Sequence, residues 1–402
     1  MISGKASEKT YSSESSMMIG LGKRTRRAYG FDEIALVPGS KTLDMELCDI
    51  SYELGGIKFG SPIIASAMDS VVDAHVASVL GRLGALGVIN LQGIQTRYEE
   101  LEEVYEKIAN CDKNSFVEVM QELYKTPIKE ELIEKRIEAI KKTGATAAVS
   151  VTPNFAEKYG PIAVAAGCDI LFVQSTVTGI EHRSAMGTPS LNLSRFNKKI
   201  GIPVVVGNCV VYETALELLE TGVAGILVGV GPGAACTSRS VLGIGVPMAT
   251  AIADCAAARE TFFAKHGKRP AIIADGGMAV GGDICKALAC GADATMIGSP
   301  LARATEAPGH GYHWGMATPS PVLPRGTRIK VGTTVSLEQI LNGPANTDDG
   351  TQNLNGSIKT SMATLGAENL SEMQQVEVII APSILTEGKV YQNAQQLGMG
   401  RK

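Results

Sequence analysis

The chain has 402 residues, 45% of them hydrophobic, so it can bury a substantial core; 37 basic against 41 acidic residues with no long basic block exclude a nucleic-acid surface. No apolar stretch approaches the ~18 residues that span a bilayer, and the leader MISGKASEKTYSSESS lacks the apolar centre of a signal peptide, so residues 1 to about 18 read as a disordered tail. Eight dispersed cysteines without a CxxC pair indicate free thiols in a reducing, cytoplasmic compartment, and the five histidines fall at no zinc-ligand spacing.

In chain order, the first β-like run is PIIAS (62–66), followed by the amphipathic segment VVDAHVASVLGRLGA (71–85) and the run LGVIN (86–90). Residues 91–146 exceed a normal connection and include the charged helical stretch EELIEKRIEAIKKTG; they read as a helical insert packed on the barrel rather than a separate domain. Then come AAVSV (147–151), ILFVQ (170–174), PVVVG (203–207), GILVGV (225–230), AIIAD (271–275) and ATMIG (294–298). Helix-like stretches such as YETALELLETGVA and GGDICKALACGAD separate the later runs and end at a glycine before the next strand. All eight runs are continuously apolar rather than alternating, as parallel strands covered on both faces must be. Eight strands with helical crossovers predict a (β/α)8 TIM barrel forming one domain over 19–402. A doubly wound sheet would want a Gly-x-Gly-x-x-Gly turn after its first strand, and the chain has SAMDSVVD there. Residues 305–356, rich in Pro, Gly, Thr and Asn, read as a mobile flap.

Barrel active sites lie on the loops that follow the strands. Those loops supply Ser66, Met68 and Asp69; Gln174, Ser175 and Thr176; Asn208; GPGAACTSR (231–239); Asp275, Gly276 and Gly277; and Gly298 and Ser299. The small residues after strands seven and eight predict a phosphate cradle of backbone N–H groups. Cys236 stands out among the thiols. It lies on a glycine-rich loop with Arg239 three residues on, where a cation and a helix start favour a thiolate nucleophile. Cys168, Cys255, Cys285 and Cys290 sit in apolar runs and read as buried hydrophobes.

Taken together, SAMD, GPGAACTSR with GIGVP, ADGG with GGDICKALACGADATMIGS, and HWGM resemble the IMP dehydrogenase/GMP reductase family from about residue 27 onward. The resemblance implies a tetrameric (β/α)8 enzyme in which Cys236 attacks C2 of IMP, hydride passes to NAD, and water releases XMP. It implies Ser238 beside the reacting base and Ser66, Met68 and Asn208 as substrate contacts. Asp275 would meet the ribose, with Gly276, Gly277, Gly298 and Ser299 around the phosphate and His313, Gly315 and Met316 against base or phosphate. Gln174, Ser175 and Thr176 would face the cofactor, and carbonyls of Gly231, Gly233 and Cys236 would hold a monovalent cation, typically potassium. The chain departs from the pattern in four ways. The paired CBS modules of the dehydrogenase are absent; Gln174 replaces an Asp; His313 replaces a Tyr; and the water-activating Arg-Tyr pair is missing from the flap. Arg325 and Arg328 stand there instead as catalytic candidates, although a guanidine normally keeps its proton. IMP dehydrogenase is the leading reading. GMP reductase, using NADPH, and a nucleotide-binding paralogue without turnover are the alternatives.

Overall fold

In the computed structural model, which describes residues 16–180 and 190–398, hydrogen bonding joins the eight apolar runs into one closed parallel barrel. The strands are β1 (Ile63–Ala65), β2 (Leu86–Asn90), β3 (Ala148–Val151), β4 (Ile170–Gln174), β5 (Val204–Cys209), β6 (Gly225–Val228), β7 (Ala271–Asp275) and β8 (Ala294–Ile297). Closure comes from β8 on β1, with Thr295 opposite Ile63 and Ile297 opposite Ala65. Side chains such as Ile64, Phe172, Val205 and Ile272 are wholly buried, because one face of each strand fills the barrel and the other lies under a helix. The predicted (β/α)8 TIM barrel is therefore the observed fold.

In chain order the helices begin with α1 (Ala74–Arg82), α2 (Glu102–Asn110), α3 (Phe116–Leu123), α4 (Glu130–Lys141), α5 (Pro153–Ala165) and α6 (Leu193–Ile200). They continue with α7 (Tyr212–Glu220), α8 (Ser238–Leu242), α9 (Met248–His266), α10 (Gly281–Ala289), α11 (Leu337–Asn342) and α12 (Leu354–Leu365). Local chemistry sets several starts. The Asp73 carboxylate accepts the Val76 amide at 2.7 Å to open α1, and Pro153 occupies the first turn of α5.

Three sequence expectations change. Of the insert, only α4 joins the helix ring, between α1 and α5. Helices α2 and α3 instead build a satellite core of Ile94, Val104, Tyr105, Ile108, Phe116, Met120 and Leu123 around Trp314 of the flap. The flap region is not structureless either: it holds α11, and Tyr312–His313 pairs antiparallel with Ile329–Lys330. The tail expected to reach residue 18 is shorter, because Ser16–Met18 pairs with Arg24–Arg26; residues 1–15 lie outside the described residues. Among the described residues no helix is long and apolar enough to cross a membrane.

Trp314 is 1% exposed and belongs to the satellite core alone. Trp314→Ala is expected to cost about 3–5 kcal/mol. Amide exchange should localise that loss to residues 102–123 and leave the barrel strands protected.

Candidate active site

A cavity of about 810 Å³ opens at the C-terminal ends of the strands. Of the strand-loop residues, Ser66 and Met68, Gln174 to Thr176, Asn208, Gly231, Gly233, Cys236, Ser238, Asp275 to Gly277, and Gly298 and Ser299 line it, whereas Asp69 does not. His313, Gly315, Met316 and Arg325 close it from the flap side. Arg328 does not line the cavity, and its expected catalytic place there is corrected. Its guanidinium is held at the C-terminal end of α2, donating to Cys111 O at 2.8 Å and Ala109 O at 3.0 Å.

The loop after β6 presents Cys236. The Cys236 amide donates to Gly233 O at 3.0 Å, and Cys236 Sγ lies 3.3 Å from Ser238 Oγ, to which the thiol donates. Arg239 staples the loop, giving Nε to Val230 O at 3.1 Å and Nη2 to Val246 O at 3.0 Å. Other thiols are put out of use by burial, which pushes Cys168 and Cys290 up to about 12 and Cys285 to about 11. Cys236 is half-buried and faces the cavity. Of the three carbonyls expected to hold a monovalent cation, those of Gly231, Gly233 and Cys236, the Gly233 oxygen accepts the Cys236 amide at 3.0 Å. Among the described residues no cluster of His, Cys, Asp or Glu could hold a metal ion.

Among the described residues Asp275 is the one carboxylate lining the cavity. Its Oδ2 accepts from Asn208 Nδ2 at 2.7 Å and Gln174 Nε2 at 3.0 Å, and burial still raises the carboxyl to about 6. This geometry accounts for Gln174. An aspartate there would set a second carboxylate against Asp275, whereas the amide donates to it. Gly276 and Gly277, with φ of 81° and 79°, turn the chain into the same cavity as Gly298 and Ser299; the Gly276 amide is committed to Met296 O at 2.9 Å. His313 is 3% exposed and contacts Ser70 Oγ through Nδ1 at 3.2 Å. Burial lowers it to about 4, so the ring is neutral; when Ser70 donates to Nδ1, Nε2 presents an N–H. The Arg325 guanidinium lines the cavity without a hydrogen-bond or ion-pair partner among the described residues.

Several lining residues escaped the sequence reading. Asn90 ends β2 and Thr152 follows β3, so the strand-end rule that found the others applied to them too. Arg97 and Tyr124 come from the insert and carried no such signal. They are tied to the barrel through Asp69, whose Oδ2 accepts from Tyr124 Oη and from the Ile94 amide at 3.1 Å. Arg97 in turn donates to Tyr124 O at 2.9 Å and lies 5.1 Å from the centre of the Tyr124 ring. The last residue of the SAMD motif thus anchors the insert at the edge of the cavity.

The model of the IMP dehydrogenase/GMP reductase domain matches residues 28–317. The chain belongs to that family. Among relatives of the same family, an uncharacterized oxidoreductase of Mycobacterium leprae is 40% identical over 372 residues, covering 90% of this chain and 99% of that one. An inosine-5'-monophosphate dehydrogenase of Cryptosporidium parvum is 35% identical over 301 residues, or 71% of each chain. The crystal structure of an IMP dehydrogenase/GMP reductase-like protein from Corynebacterium glutamicum superposes with a TM-score of 0.87 at 36% identity, covering 91% of this chain and 98% of that one. These family members make this chain an oxidoreductase.

His313 holds a proton less tightly folded, at about 4, than the ordinary 6.5 of an unfolded chain. The native state therefore binds fewer protons between those values. Its stability is complete above pH 6.5 and is lost as pH falls through about 4, by about 3 kcal/mol at most. Replacing the ring with an amide in His313→Gln should flatten the fall in Tm from pH 6.5 to 4.

Proposed function

We propose that this protein is an NAD-dependent IMP dehydrogenase of guanine-nucleotide synthesis, oxidising IMP to XMP through a covalent adduct on Cys236. The observation that carries this reading is the shared cavity: the Cys236 thiol opens into the same space as the Gly276–Gly277 and Gly298–Ser299 turns. A purine 5'-monophosphate seated with its phosphate against those turns, on amides other than that of Gly276, would have its base delivered toward the thiol.

The residues divide the work. Cys236 adds to C2 as a thiolate, with Ser238 beside it to hold the loop hydroxyl near the base. Asp275 accepts from the ribose hydroxyls, using the carboxylate oxygen that Gln174 and Asn208 leave free. Ser66, Met68, Gly315 and Met316 enclose the purine, and neutral His313 offers Nε2–H without bringing a second charge. Gln174, Ser175 and Thr176 form the wall on which nicotinamide would rest; when bound, it takes the hydride from C2. Water then adds at C2, the bond to Cys236 Sγ breaks, and XMP leaves. Arg325, whose guanidinium has no ion-pair partner among the described residues, would orient that water and stabilise the oxygen it leaves on C2. No step is routed through potassium. We read the working protein as cytoplasmic and as a homotetramer, consistent with the exposed apolar side chains Met17, Met18, Ile19 and Leu21 near the N-terminus.

GMP reductase is the second reading, supported by one feature of the flap. Beyond the buried His313, Arg325 is its one ionisable group lining the cavity among the described residues, and a guanidinium is a poor base for water. Reductive deamination of GMP needs no activated water.

Absorbance of the reduced nicotinamide separates these readings. NADH is expected to form with IMP and NAD, in an assay run in both directions, and Cys236→Ala should lower turnover by roughly 10³-fold or more. NADPH oxidation seen with GMP alone would instead establish the reductase, and one equivalent of NADH without turnover would leave a trapped adduct. Asp275 makes a second prediction. Because its carboxyl sits at about 6, it accepts ribose hydroxyls best above that value. Nucleotide affinity, measured by calorimetry, should weaken as pH falls through about 6. Asp275→Asn should weaken it about tenfold at neutral pH and remove that pH dependence.

A further inference from the structure

The flap is held down at two places, on opposite sides of one extended segment. On the cavity side its main chain pairs with the Cys236 loop. The Thr237 amide donates to Arg325 O at 3.2 Å, the Thr327 amide donates to Ala235 O at 2.9 Å, and Gly326 bridges Cys236 between them. A Cβ on Gly326 would stand 2.4 Å from Thr318 Oγ1 but 3.4 Å from Ala235 O, so a side chain there would clash within the flap and shift the paired segment rather than strike the Cys236 loop.

Away from the cavity, Arg328 enters the carbonyl end of α2. Nη2 donates to Cys111 O at 2.8 Å; Nη1 donates to Ala109 O at 3.0 Å and to Ile108 O, and meets Cys111 Sγ at 3.2 Å. The guanidinium carbon lies 4.6 Å from the ring centre of Tyr312 and 5.3 Å from that of Phe116. A planar cation at the negative end of a helix satisfies last-turn carbonyls that otherwise lack donors, while its faces stack on the rings. A lysine supplies the charge without the fork or the stacking plane. Gln121 of α3 adds a tether, donating to Ser320 O at 3.2 Å. Residues three apart in extended chain face opposite sides, so Arg325 looks into the cavity and Arg328 into the insert.

We propose that Arg328 is a positioning residue: it locks the flap to the insert and thereby keeps the 325–327 segment on the Cys236 loop with Arg325 in the cavity. The insert is then the platform for a docked flap. Only the kinetic consequence rests on Cys236 and Arg325 having the roles proposed above; the mechanical part stands without them.

Three variants of the full chain test this: Arg328→Met, Arg328→Lys and Gly326→Ala. Amide exchange at Thr237 and Thr327 should quicken about tenfold to a hundredfold in Arg328→Met, the scale set by losing charge-assisted hydrogen bonds, and less in Arg328→Lys. Alkylation of Cys236 by iodoacetamide, followed on its peptide by mass spectrometry, should quicken in the same order. With IMP and NAD, the first equivalent of NADH should still form in Arg328→Met while steady turnover falls by the same factor. Gly326→Ala, whose methyl meets Thr318, loosens the docking from within the flap. It should speed alkylation while leaving the fluorescence of Trp314, the sole tryptophan, unchanged. Unchanged exchange at both amides in Arg328→Met overturns the proposal whatever the activity. So does exchange in Arg328→Lys that rises equally across the barrel strands, since that is general unfolding. A wild-type chain inert toward every purine nucleotide would sink the proposed reaction, and exchange and alkylation would still decide the role of Arg328.

Discussion

Closure of β8 on β1 is the constraint on which the rest depends. Once the ring is shut, all eight strands run the same way and their C-terminal ends form one rim. Residues far apart in the chain then become neighbours without further cost in loop entropy. Asp275 meets Gln174, 101 positions away, and Asn208, 67 positions away, because their strands all end at that rim. A cavity with a thiol on one loop and two glycine turns opposite follows from the same geometry.

The charge balance at the rim is spare. One carboxylate, Asp275, is held by two neutral amides and is raised by burial rather than by a second acid. His313 carries no charge because its surroundings are dry. Among the described residues the cations Arg325 and Arg97 line the same cavity, an arrangement suited to an anionic ligand. Gln174 fits this balance, since one more acid beside Asp275 would raise the carboxyl pair further or force a proton between them.

A second, smaller hydrophobic assembly packs on the flap beside that site. Helices α2 and α3 are too short and too polar outside to stand alone, and they are stabilised by closing on Trp314 of the flap. The flap in turn has its own pairing with the Cys236 loop. Insert, flap and Cys236 loop therefore form one mechanical series. Its connections are the Asp69–Tyr124 hydrogen bond, the satellite core and the Arg328 cluster.

The barrel was legible in the sequence because its signal is local: a strand covered on both faces must be a short apolar run, and eight such runs occur. The residues on the strand loops were legible for the same reason, since a strand end can be read from its own few residues. Asn90 and Thr152 were available by that rule and were passed over. What no local pattern carried was the contribution of Arg97 and Tyr124, or the separation of Arg325 from Arg328. Those depend on where the insert lies, and Arg328 reaches Ile108 across 220 positions. Sequence by itself determined the closed barrel, the thiol loop and the glycine turns, because adjacent residues specify them. Only the tertiary structure decided which arginine faces the cavity, because that depends on which surface packs against each side of the flap.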